Sequence, residues 1–157
     1  MFDQVNGLPV HALVLHAAVV FVPLLALGAI VYALVSRWRT KIDWAVVLLA
    51  VLAPITALVT MLSGNELHQR LLSQGLKGRG AEIIDEHMGF GTLTFWLSLA
   101  LGVVALIAVF ATRRQPGSLP GVADLGLRVV MVALAAITGY YVYKTGDSGA
   151  TAVWGQY

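Results

Sequence analysis

The chain has 157 residues, of which 59% are hydrophobic and 11% charged, with a formal net charge of +2 and a mean hydropathy of +0.83. A soluble domain carries about a quarter of its residues as charges, so this composition belongs in a membrane. The absence of cysteine excludes disulfides, thiolate metal sites, iron–sulfur ligation and covalent c-type haem, and with no long basic run the chain offers nothing to nucleic acid.

Only an acid, Asp3, marks the first residues, so the apolar run that follows reads as a retained spanning helix and not as a cleaved leader. Four apolar runs, at about 8–35, 44–62, 88–111 and 125–143, are each close to the ~20 residues that cross a ~30 Å hydrocarbon core. None alternates apolar with polar residues as a membrane barrel would. The expected fold is therefore an all-α membrane protein, a single domain over 1–157 with four transmembrane helices in a bundle.

The first run opens with His11 and His16, which lie ~140° apart around a helix and cannot easily aim at one atom. With the interface at Val10, His16 sits ~9 Å inside and His11 among the headgroups. Pro23 removes an amide and frees the carbonyl of Val19. Arg37, Arg39 and Lys41 follow, against Asp43, with Trp38 and Trp44 placed as aromatic-belt residues. The second run adds Thr56, Thr60 and Ser63.

The loop 63–87 sets Arg70, Lys77 and Arg79 against Glu66, Glu82, Asp85 and Glu86. It is expected to hold a short interfacial helix at 65–73, with Leu67, Leu71 and Leu72 on one side, broken by the glycines at 75, 78 and 80. The third run carries a small and polar stripe, His87, Gly91, Thr94, Ser98 and Gly102, and ends at Arg113 and Arg114. The fourth has Arg128 at its start, Thr138 and Tyr141 within it, and Tyr140 and Tyr143 as interface anchors. Basic residues after the first and third runs place both termini and the loop 63–87 on the outer side by the positive-inside rule.

The halves read as a duplication related by an axis along the membrane normal. Ser63-Gly64-Asn65 corresponds to Thr145-Gly146-Asp147 in this reading, and His16 to His87.

A titratable residue inside a lipid-facing run is a functional candidate, and His16 is the deepest. The sharpest reading pairs His16 with His87 as axial ligands of a haem b, with His11, His68, Thr60, Ser63 and Thr94 in support. A metal site using His68 or His87 with Glu66, Asp85 or Glu86 has no recognisable ligand spacing behind it. Histidines that merely hydrogen-bond across helices, relay protons or hold a quinone are the other readings. No triad, phosphate loop or paired carboxylate stands out, so the chain is not expected to be an enzyme by itself.

Several of these residues resemble a known family. Gly7-Leu8-Pro9-Val10-His11-Ala12-Leu13-Val14-Leu15-His16 with Val19 to Pro23, Leu62-Ser63-Gly64-Asn65-Glu66, and Glu86-His87-Met88-Gly89 are similar to motifs of the bacterial domain-of-unknown-function family 2231, over roughly the whole chain. Ala12 and Ala18 depart from it, standing where such proteins often carry Pro. The resemblance implies a small, multi-pass protein of the bacterial plasma membrane. Relatives joined to cytochrome or Rieske-type domains imply an electron-transfer setting, which favours haem b or a respiratory partner. The alternative is a cofactor-free accessory or structural subunit. It would join a larger membrane complex, or a homo-oligomer, through small-residue faces such as Ala29/Ala33 and Ala135/Gly139.

Overall fold

A computed structural model describes residues 4–5, 8–114 and 121–155. A two-residue antiparallel ladder joins β1 (Gln4–Val5) to β2 (Leu8–Pro9). Four helices then follow: α1 (Val10–Leu34), α2 (Arg39–Ser73), α3 (Arg79–Arg114) and α4 (Gly121–Trp154). A 3-10 turn at Ser36–Trp38 separates the first two. All four helices are long and apolar enough to span a membrane. Each packs on the next in chain order and α4 returns to α1, so the bundle is a closed ring. One end carries His11 and His87, and the other carries the arginines flanking the α1–α2 and α3–α4 connections.

Three helices outlast the apolar runs that predict them. The 35 residues of α2 make a rod of about 52 Å, well beyond a ~30 Å hydrocarbon core. The expected interfacial helix at 65–73 is no separate element, because α2 passes through Ser63 and Gly64 without a break. Likewise α3 begins at Arg79 and not near 88, and α4 continues past 143 to Trp154. Hydropathy marks where lipid ends, not where helical hydrogen bonding ends, and the polar residues beyond that border still allow a helix. The loop expected over 63–87 shrinks to residues 74–78. There Leu76 N–H donates to Leu71 O and Gly75 N–H to Leu72 O, with Gly75 at φ +97°, which is a Schellman cap needing glycine at the left-handed position.

Many of the buried positions carry small side chains, and many large apolar ones face outward. Ala29, Ala33, Ala53 and Ala105 are fully buried, while Leu27, Leu62, Ile107 and Val129 are more than half exposed, as expected where lipid solvates the outside and close backbone approach holds the inside. Pro54 has no N–H to offer Ala50 O, and α3 comes close to α2 at that carbonyl. A Cβ on Gly102 would lie 2.6 Å from that oxygen, so α3 docks glycine-first onto α2. Of the small residues expected to serve partner contacts, Ala29, Ala33 and Ala135 are buried in the bundle's own packing, while Gly139 has open space beside it.

The duplication is visible in the buried positions. Val22, Leu25, Ala26, Ala29, Tyr32 and Ala33 of α1 have the same spacing as Ser98, Leu101, Gly102, Ala105, Ala108 and Val109 of α3. Val46, Ala50, Ala53 and Ser63 of α2 match Met131, Ala135, Thr138 and Ser148 of α4. In this register His11, not His16, corresponds to His87. The matching turn of α4 is Ser148-Gly149, three residues after the Thr145-Gly146-Asp147 that the sequence pattern suggests.

Candidate functional site

His11 stands at the second position of α1 and His87 in the third turn of α3. Their rings meet across the bundle with centroids 6.3 Å apart and planes at 87°. His11 reaches this point because it lies about three helical turns before the buried Val22, on the same face. His16 lies about three turns before Leu27, which is 59% exposed. It is accordingly exposed, and its Nδ1 bonds only the carbonyl of Ala12 in its own helix, at 2.9 Å. The expected His16–His87 pairing is thus replaced by His11–His87. Neither depth nor polarity decides this; helical phase does.

Each imidazole is seated on the helix that completes its hairpin, and the two seats are copies. His11 Nδ1–H donates to Thr60 O at 3.0 Å and lies 3.5 Å from Ser63 Oγ. His87 Nδ1–H donates to Thr145 O at 3.0 Å and to Ser148 Oγ at 3.1 Å. The serine hydroxyls donate to the same carbonyls, Ser63 to Thr60 O at 3.0 Å and Ser148 to Thr145 O at 3.1 Å. With those hydroxyl protons already used, every group facing Nδ1 is an acceptor, so Nδ1 carries the hydrogen and the neutral ring keeps a lone pair on Nε2. Among the described residues neither Nε2 has a hydrogen-bond partner.

Glycine makes both seats possible. A Cβ on Gly64 would stand 3.2 Å from His11 Cε1 and Nδ1, and one on Gly149 only 2.9 Å from His87 Cε1. Met88, the neighbour of His87, places its Sδ 3.8 Å from the same Gly64 position. The seat therefore reads Thr-x-x-Ser-Gly twice, at Thr60–Gly64 and Thr145–Gly149. That repeat was available in the sequence and is the signal that would have found Ser148 and Gly149, which the polar-stripe reasoning missed, as it missed Met88.

The remaining candidates divide by distance from the pair. Thr60 and Ser63 form one seat, and Thr94 supports the other through Thr145 Oγ1 at 2.9 Å. The inward stripe of α3 is largely as its spacing suggests, with Thr94, Ser98 and Gly102 buried. His68 sits apart on the projecting part of α2, its Nε2 3.2 Å from Asp85 Oδ1 but without hydrogen-bond geometry to it. Glu66 and Glu86 are exposed. Among the described residues no three His, Cys, Asp or Glu side chains converge on a common point, so the His–carboxylate grouping is not assembled.

The opposite end of the bundle is an ion-pair network. Arg39 pairs with Asp124 at 3.0 Å, Asp124 with Arg128 at 2.6 Å, and Arg113 with Asp43 at 2.8 Å. Arg128 also donates to Ser36 Oγ, and Arg39 to Tyr32 O. Arg39 and Asp43 in α2 occupy the positions of Asp124 and Arg128 in α4, so the duplicated sites carry opposite charges.

A model of the predicted membrane proteins of family DUF2231 matches residues 7–156. No curated protein and no solved structure matches the chain.

Proposed function

Starting from the chain's membership of the DUF2231 family of predicted membrane proteins, we propose that it serves electron transfer in the bacterial plasma membrane through a metal centre at the His11–His87 pair. The pair lies on the outer side in this reading, because the opposite end carries Arg37, Arg39, Lys41, Arg113, Arg114 and Arg128. The observation that carries the proposal is the duplicated seat. Each Nδ1–H is tied to a backbone carbonyl, which fixes the tautomer and ring orientation as the outer-shell partner of a metal-ligating histidine does. The Nε2 lone pairs of the two facing rings are then left to share an ion. With metal–nitrogen bonds of about 2.0–2.1 Å, imidazoles on opposite sides of one ion have centroids about 6 Å apart, and these lie at 6.3 Å.

The same separation would suit the iron of a haem b; we favour a bare ion because both rings are packed against their seat glycines, where even a methyl group would meet an imidazole.

Elemental analysis of the purified full chain, expressed with iron, copper and zinc supplied, tests the proposal alongside a visible spectrum for haem. The expected result is one transition-metal ion per chain, lost in His11→Ala and in His87→Ala and kept in His16→Ala. A chain without metal, or with metal that survives both substitutions, overturns it.

A further inference from the structure

We infer that the ion held by this pair is copper(I) and that Met88 is its third ligand, an assignment that rests on the metal-centre reading above. Met88 follows His87 directly and is turned about 100° from it around α3. His87 therefore faces α4, and Met88 faces α2, where its Sδ and the His11 ring lie 3.8 and 3.2 Å from the place a Cβ on Gly64 would take. The thioether sulfur thus borders the same region as the His11 ring, which faces His87.

The chemistry of that set selects the ion. Thioether sulfur is a soft donor that favours copper(I), and imidazole suits copper as well. Zinc takes four strong protein ligands in a structural site or three with a water in a catalytic one, and among the described residues no carboxylate joins the two histidines. Asp85, two residues before His87, has its carboxylate beside His68 and 68% exposed. All three donors are neutral, so the ion's charge stays uncompensated. A divalent ion in the same place would incur about fourfold the Born cost of a monovalent one.

Titration of the purified full chain with copper(I), under reductant and against a chromophoric copper(I) chelator, tests the assignment, with zinc(II) titrated in parallel. One copper(I) per chain is expected. Met88→Leu should weaken binding by about tenfold or more, His11→Ala and His87→Ala should abolish it, and His16→Ala should leave it unchanged. X-ray absorption of the copper-loaded wild type needs no variant, and should show two nitrogens and one sulfur around the ion. A shell without sulfur, Met88→Leu binding as wild type, or zinc(II) held more tightly than copper(I) overturns the copper assignment. If zinc or iron instead binds and is lost with either His11 or His87, the metal-centre reading stands and only the copper inference fails. If no metal binds at all, both fall.

Discussion

The two ends of this bundle solve the same problem of duplication in opposite ways. At the arginine end, corresponding positions of α2 and α4 carry opposite charges, so Arg39 and Asp124 neutralise one another across the pseudo-symmetry axis. At the histidine end, corresponding positions of α1 and α3 carry the same residue, each on its own Thr-x-x-Ser-Gly seat. The two aspartates are consumed in pairing with arginines, whereas identical neutral bases each keep an unused lone pair. The contrast is the ground for proposing a binding role at the histidine end and a structural one at the arginine end.

Reversing one charge is the most severe way to break this comparison. Arg39→Asp would set two carboxylates against each other in a pair whose side chains are only 16% and 21% exposed, and should cost about 3 kcal/mol in reversible unfolding from mixed micelles. Adding Asp124→Arg should return less than half of that, because the swap restores the pair with position 39 but sets a second guanidinium against Arg128, which Asp124 holds at 2.6 Å. A double variant as stable as wild type would show that Arg128 does not depend on Asp124.

Glycine substitutions sharpen the comparison of the two seats. Gly149→Ala places its Cβ 2.9 Å from a His87 ring held by two acceptors, and should cost about 2 kcal/mol through overpacking. Gly64→Ala meets His11 at 3.2 Å and should cost nearer 1 kcal/mol. The same unfolding assay reads both, and equal costs would mean that the seats do not differ as the distances say.

Histidine substitutions give the smallest effects and the clearest contrast. His11→Ala removes an interhelical hydrogen bond and should destabilise the metal-free protein by about 1 kcal/mol. His16→Ala removes only a bond within its own exposed turn and should stay within about 0.5 kcal/mol of wild type. The reverse order would restore His16 to the bundle interior.

These same residues show what a one-dimensional reading captures. Four spans, their helical nature and the inward stripe from Thr94 to Gly102 follow from length, composition and spacing, because lipid penalises any other arrangement of backbone and polar groups. Helix ends beyond the lipid do not follow from hydropathy, which is why α2 outruns its apolar run by more than two turns. The histidine pairing turned on phase. Depth from the interface points to His16, but the small-residue face of Ala26, Ala29 and Ala33, followed back through Val22, arrives at His11. The duplication was legible in outline and misaligned by three residues, since matching small polar turns by appearance placed Ser63 opposite Thr145. Matching Thr60-x-x-Ser63-Gly64 with Thr145-x-x-Ser148-Gly149 corrects it. No sequence spacing brings Met88 to Gly64, because that contact depends on how α3 is rotated against α2.

The most direct test of the paired-imidazole centre is nitrogen NMR of the full chain labelled with 15N at histidine, recorded in lipid before and after metal is added. Two histidines should show the Nδ1–H tautomer, and their Nε2 signals should move together when metal binds, in wild type and equally in His16→Ala. Nε2 signals that stay in place, or a moving signal that disappears with His16→Ala, would contradict the assignment of the site to His11 and His87.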